Sequence, residues 1–226
     1  MEVDWRQGVW FCHKCSKSGS MKDGNPRKTI KVQTTQRRHY WPVSEGKCIA
    51  YLEGRGLDAA LIRELQPHKG PDSRRIYFPC YNLAGSEPAY MVGRTMVKDV
   101  VPRYIYPKNG EFPNRKRETL WGVQRFCPSK NYKRLVICEG IFDAVQRNNR
   151  VALLGSTISK EQIDVLKMIR TEETIVLLDG DAYEKAVAVA VALNRPHTWV
   201  APMRQGSDPE DDKEVQRALR RKERIR

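Results

Sequence analysis

Continuous apolar runs stand at Leu135–Cys138, Val151–Leu154 and Ile175–Leu178. Four apolar residues in a row, with no polar alternation, mark strands buried on both faces, as in a parallel sheet. Between these runs the period becomes helical. Ser159 followed by Gln162 is a capping box, and Ile163, Leu166 and Ile169 fall on one face beyond it. Residues 183–193, YEKAVAVAVAL, alternate Val and Ala like a strand, but their length and Ala content predict a helix. Thr198–Ala201 predicts one more short strand. A last helix is predicted with Pro209 at its first position. Acids Glu210, Asp211 and Asp212 occupy its first turn, and Arg220, Arg221, Lys222 and Arg224 its far end, matching the helix dipole. This half reads as α/β with a small, mostly parallel sheet.

The upstream half has a different texture. Residues 1–20 hold aromatic residues, a Cys-x-x-Cys pair and Gly/Ser, and residues 21–45 are polar and basic, as in a linker. From Gly46 to about Lys69 the pattern predicts a short helix, a Gly turn and a second helix with Ala60, Leu61 and Leu65 on one face. IYFPCY and AYMVGRT, separated by Asn-Leu-Ala-Gly, predict a strand, a turn and a strand, and RYIYP a third short strand. No internal repeat is visible.

Composition narrows the class of protein. The chain has 226 residues, enough for one core or two small ones, and no apolar stretch approaches the ~18 residues of a membrane span. MEVDWRQGVWF lacks the basic-then-apolar pattern of a secretory signal. The six cysteines are scattered rather than arranged as a disulfide framework, so a reducing, cytoplasmic setting is expected. Lys and Arg number 41 against 27 Asp and Glu, a formal net charge of +14 that calls for an anionic partner, nucleic acid first. The basic residues cluster at Arg37–Arg38, Arg74–Arg75, the run NRKRE at 114–118 and the tail RRKERIR.

Acids follow the apolar strands. Ligands of an open parallel sheet sit beyond the carboxyl ends of its strands. Glu139 follows LVIC, with Gly140 allowing a tight turn and Asp143 four residues on. Asp179 and Asp181 follow IVLL as Asp-Gly-Asp, and Asp208 and Glu210 follow TWVA after PMRQGS. These six carboxylates would repel one another at one edge unless a cation sat among them, and Mg²⁺ or Mn²⁺ suits an all-oxygen set facing phosphate. Asp208 could equally cap the last helix, and Asp143 could face solvent.

The run VICEGIFDAV followed by LLDGDA resembles the TOPRIM domain of bacterial primases, topoisomerases, some nucleases and RecR. YLEGRGL at 51–57, RIYFPCYNLAG at 75–85, MVGRT at 91–95, PRYIYP at 102–107 and KRETLWGV at 116–123 occur in the order and spacing of DnaG-type primases. WFCHKC-SKSG at 10–19 resembles the second half of their zinc ribbon. The resemblance implies four segments: a zinc-ribbon remnant and basic linker (1–45), a basic α+β subdomain (46–130), a TOPRIM domain (131–206) and a basic C-terminal helix (207–226). It implies DNA-templated synthesis of short RNA primers from NTPs on single-stranded DNA. Glu139, Asp143, Asp179, Asp181, Asp208 and Glu210 would be the metal site, with Glu139, Asp179 and Asp181 catalytic. Arg94, Arg103 and Lys116 would face template and nucleotide. Tyr104 and Trp121 could stack on bases or belong to the core.

The chain departs from the family pattern in two places. Of two zinc-ligand pairs only Cys12 and Cys15 are present, with His13 between them, where structural Zn²⁺ takes four protein ligands. The Asp-Gly-Asp motif continues with Tyr183 and Glu184 where the family usually has Ala-Gly. No GxxxxGK[ST] loop is present, so a replicative helicase would be a separate chain. A compact phage or mobile-element primase is the expectation. The alternatives are a TOPRIM nuclease and a non-enzymatic, RecR-like DNA-binding mediator.

Overall fold

The computed structural model describes residues 40–83, 85, 87–108, 111–207 and 211–225 in full, and the backbone of 2–4, 9–12 and 17–20. The chain divides into two units, Met1–Gln36 and Arg37–Arg226. In the first, β1 (Glu2–Asp4), β2 (Val9–Cys12) and β3 (Lys17–Ser20) form an antiparallel sheet. Cys15 lies outside the described residues, and of Cys12 only the backbone is described, at the end of β2.

The second unit contains two five-stranded sheets. The upstream sheet is antiparallel, in the order β4 (Trp41–Pro42), β5 (His68–Lys69), β6 (Arg75–Tyr81), β7 (Pro88–Thr95), β8 (Tyr104–Ile105). Helices α1 (Lys47–Glu53) and α2 (Ala59–Leu65) precede β5. Asp58 caps α2, its carboxylate accepting from the Ala60 and Leu61 amides at 2.8 Å. The face of α2 that is buried holds Ile62 and Leu65; Ala60 is exposed and Leu61 half-buried. The expected stripe is therefore rotated, because packing against α3, rather than hydropathy alone, orients so short a helix.

The downstream sheet has the order β10 (Arg150–Ala152), β9 (Asn131–Cys138), β11 (Arg170–Val176), β12 (Thr198–Val200), β13 (Glu223–Arg224). The first four strands are parallel and only β13 runs antiparallel. Its helices are α3 (Ile141–Val145), α4 (Lys160–Lys167), α5 (Tyr183–Leu193) and α6 (Asp212–Arg220). The Ser159–Gln162 capping box is present, and residues 183–193 are helical as expected.

The apolar runs serve two cores. Val136, Cys138, Ile175 and Leu177 face one side, packed with α1, α2, α3, α6 and the buried face of β6 and β7. Leu135, Ile137, Val176 and Leu178 face the other, packed with α4 and α5. Alternate residues of one strand thus fill different cores, which is why no polar residue interrupts them.

The C-terminal segment differs from expectation. Asp211 caps α6, whose helix begins at Asp212 and ends at Arg220, and Asp208, Pro209 and Glu210 lie outside the described residues. The basic tail then leaves the helix to pair Glu223 and Arg224 with Val200 and Trp199, covering the edge of β12. No helix among the described residues is long and apolar enough to cross a membrane.

Candidate active site

Beyond the carboxyl ends of β9 and β11 lies a cavity of about 520 Å³, walled on one side by Glu139, Gly140, Phe142, Asp143 and Asp179. Facing them are Arg94, Arg103, Lys98, Tyr51, Arg55 and Tyr104 from the upstream half. An acidic wall from the parallel sheet thus meets a basic wall from the antiparallel one.

Asp143 is 6% exposed, and its carboxylate accepts from the Gly140 amide at 2.8 Å, pinning the start of α3. It faces the cavity, not open solvent. Glu139 is half-buried; desolvation pushes its carboxyl up, aided by Asp181, while Lys185 and Lys116 oppose the rise. Asp181 is exposed beside it. Between the two aspartates, Gly180 admits no side chain, since a Cβ there would lie 1.7 Å from the Arg204 carbonyl oxygen. The Gly180 amide donates to the Ser207 carbonyl at 3.1 Å, so the Asp-Gly-Asp turn is pressed against the segment that holds Arg204 and Ser207.

Arg94, at the end of β7, is buried. Its Nε donates to the Tyr51 hydroxyl at 3.0 Å and its Nη1 to the Tyr104 hydroxyl. Its guanidinium also stacks on Phe142 at 4.8 Å, and Arg55 covers the same ring at 4.4 Å. Burial pushes the Tyr104 hydroxyl up to about 12, so it stays protonated beside the cation. Lys116 lies over the Tyr106 ring at 4.1 Å, outside the main cavity but close enough to Glu139 for the two charges to perturb each other. Trp121 is core, 1% exposed.

Among the described residues, no three His, Cys, Asp or Glu side chains converge tightly enough to hold an ion as they stand. The donor set nonetheless fits a hard divalent cation. It is all carboxylate oxygen, with Glu139, Asp143 and Asp179 on one wall of the cavity.

A DNA primase of Myxococcus xanthus is 28% identical over 183 residues, which cover 75% of this chain and 28% of that protein. The chain therefore spans little more than a quarter of that relative's length. No family model matches. A solved DnaG catalytic core superposes with a TM-score of 0.62 at 19% identity, covering 77% of this chain and 72% of the other. The fold is that of the DnaG primase catalytic core. A DnaG primase catalytic domain bound to ssDNA superposes with a TM-score of 0.61 at 19% identity, covering 77% of this chain and 73% of that one.

Within this primase fold, Glu139, Asp143, Asp179, Arg94 and Arg103 come together at one cavity, while Asp181 and Lys116 flank Glu139. Asp208 and Glu210 lie outside the described residues. Sequence reasoning missed Arg55, Phe142 and Lys185. Lys185 had a signal, standing four residues after Asp181 at the start of α5. Phe142 had none, because an aromatic beside a buried helix reads as core. Tyr183, the departure from the family turn, donates its hydroxyl to Glu223 at 2.6 Å and so ties α5 to β13.

Proposed function

We propose that this chain is a primase core that synthesises short RNA primers from NTPs on a single-stranded DNA template. The observation that carries it is the single cavity with carboxylates on one wall and guanidinium groups on the other. A polymerising site has to gather polyanions and control developing charge at phosphorus, and each wall supplies one of those needs. Residues 46–130 are then the template-facing half, and residues 131–206 the TOPRIM half. The origin of the chain in a phage or mobile element, and a helicase on a separate chain, remain part of the same proposal.

Glu139, Asp143, Asp179 and Asp181, joined by Asp208 and Glu210, would hold Mg²⁺ or Mn²⁺. Bound ions of this kind supply Lewis-acid stabilisation of the entering and leaving oxygens in phosphoryl displacement. The chain's own groups do the rest. Arg94, held rigid by two tyrosine hydroxyls, and Arg103 receive the triphosphate and template phosphates, and Lys116 adds charge beside Glu139. Glu139 takes the proton from the 3′-hydroxyl of the initiating nucleotide as that oxygen attacks the α-phosphate of the next, and pyrophosphate leaves. A Zn²⁺ site at Cys12 and Cys15 would need ligands beyond that pair.

The deciding experiment is primer synthesis on single-stranded DNA with labelled NTPs and Mg²⁺ or Mn²⁺, run beside Asp179→Ala. Short products are expected from the wild type and none from the variant, which should still bind DNA within about twofold because no basic contact is lost. Degraded template would instead identify a nuclease. Bound, intact template with no product, even after an upstream Cys pair is restored, would identify a binding module.

A further inference from the structure

Four non-glycine residues among those described have a left-handed backbone: Gln66, Leu154, Asn194 and His197. Gln66 and Asn194 end helices α2 and α5, a common place for that conformation, and His197 is exposed. Leu154 is different. Its φ is 63°, it is 5% exposed within the core, and it stands just beyond β10. Alternate amides of a parallel strand face one neighbour, and Leu153 donates to the Cys138 carbonyl at 3.0 Å in that way. By the same alternation the Leu154 amide would point away. The left-handed turn instead brings two successive amides onto one acceptor, since Leu154 and Gly155 both donate to the Glu139 carbonyl, at 3.0 and 3.3 Å. At the other end of that peptide, the Gly140 amide donates to the Asp143 carboxylate at 2.8 Å. The peptide joining Glu139 to Gly140 is therefore held at its oxygen by the Leu154 turn and at its nitrogen by Asp143. The Tyr106 hydroxyl, from the segment after β8, donates to the Leu154 carbonyl at 3.1 Å. Tyr106, Glu139, Gly140 and Leu154 line one small cavity of about 70 Å³.

We propose that Leu154 is a positioning residue for Glu139, its left-handed backbone fixing the Glu139–Gly140 peptide, and that the Tyr106 hydroxyl holds Leu154 in that conformation. A positive φ is unfavourable for a residue with a Cβ and persists only where the surroundings over-determine it. The buried Leu154 side chain and its bound carbonyl do so here. What the strain secures is the site. Rotation of the Glu139–Gly140 peptide would swing Glu139 and break the Asp143 bond together, and an error of about 1 Å in a reacting group slows a reaction about 100-fold. Tyr106 belongs to the half that carries the basic wall, so that half also sets the main chain of the acidic one. This inference rests on the proposed primase reaction for the role of Glu139, and adds two residues that act on it through the main chain.

The test compares three variants of the full chain. Leu154→Ile keeps the volume but branches at Cβ, which disfavours the left-handed backbone, whereas Leu154→Met keeps the bulk without that branch. Tyr106→Phe removes only the hydroxyl. Two readouts are taken: amide hydrogen exchange resolved by NMR, and steady-state primer synthesis. In Leu154→Ile and Tyr106→Phe the Leu154 and Gly155 amides should exchange about tenfold faster while Leu153 is unchanged, because only the turn is released. The same two variants should lose about tenfold in kcat with KM for NTPs within about twofold, since the reacting groups are misplaced but the basic wall is intact. Leu154→Met should match wild type in both readouts. Equal losses in the Ile and Met variants, a loss in KM rather than kcat, or an unchanged kcat in Tyr106→Phe overturns the proposal. If Leu154→Ile does not fold, Tyr106→Phe decides, because that half-buried hydroxyl lies outside the core. A wild type that makes no primers overturns the activity, and the exchange pattern, read without catalysis, then decides whether Leu154 and Tyr106 hold the Glu139 main chain.

Discussion

Gly180 and the two short-range carboxylate clusters give the sharpest expectations for single residues. A methyl group at position 180 would collide with the Arg204 backbone, and no rotamer relieves a Cβ. Gly180→Ala should cost about 2 kcal/mol or more and displace Asp179 and Asp181 together, measured by denaturant unfolding and by loss of activity. Acid stability is set by other groups. Arg217, then the Arg204 amide, hold the Glu214 carboxyl at about 2, and Arg74, then Arg75, hold Asp72 at about 2. A carboxylate whose pKa falls on folding adds stability that is complete above its ordinary range and disappears as pH drops through the folded value. The melting temperature should therefore fall between about pH 4.5 and 2, and Glu214→Gln should flatten part of that fall. An unchanged pH slope in Glu214→Gln would remove Glu214 from the account. The predicted strand-end acids were readable because charge directly after a buried run demands a partner. Arg55 was not, since nothing in Gly-Arg-Gly says which ring the guanidinium will cover.

At the scale of elements, α3 is the most dependent piece. It has five residues, too few to be stable alone, yet it carries Asp143. Arg125 secures its far end, with Nη1 donating to the Ala144 carbonyl at 3.0 Å and to the Arg147 and Arg150 carbonyls at 3.2 Å. The same guanidinium lies 2.6 Å from Glu64 of α2 and over the Trp121 ring at 4.5 Å. Arg150 adds a bond from its Nη1 to the Asp143 carbonyl at 2.7 Å. Removing Arg125 leaves three carbonyls and a half-buried carboxylate without their cation, so Arg125→Met should cost about 3 kcal/mol. Glu64→Gln, which leaves the carbonyl bonds in place, should cost about 1 kcal/mol. Equal costs in the two unfolding curves would mean that the ion pair, not the capping of α3, is what matters. Most elements were legible in periodicity, because a helix or buried strand imposes its own pattern; α5, whose Val and Ala alternate like a strand, was legible instead in its length and Ala content. The register of α2 and the break after α6 were not, since both are settled by what the neighbouring element leaves uncovered.

For the molecule as a whole, the charge of +14 is distributed unevenly, and part of it is opposed to carboxylates across one cavity. Single-strand binding should weaken steeply with salt, with a log–log slope of about −2 to −3 if three or four phosphates are neutralised. A shallow slope would show that the basic wall does not track the backbone. The two halves of the core also share packing: Phe78 of β6 meets Phe142 of α3 edge to face at 5.7 Å. The basic wall is thereby fixed to the acidic one, and the cavity between them is a built feature of one unit.

The sequence by itself determined the parallel strands, the helices between them and the acids at the strand ends. These are local consequences of burial and of charge following apolar runs, written in consecutive residues. Only the tertiary structure decided how the cations face those acids. Arg94 and Arg103 were named by the family resemblance and Arg55 by nothing; all three come from segments separated from Glu139 and Asp179 by tens of residues, and no local pattern encodes the distance across a cavity. The same holds for Phe142, which periodicity assigns to the core but which packing turns into the platform for two guanidinium groups. Sequence fixes what each segment must bury; packing of the two sheets fixes what the remaining polar groups are brought to face.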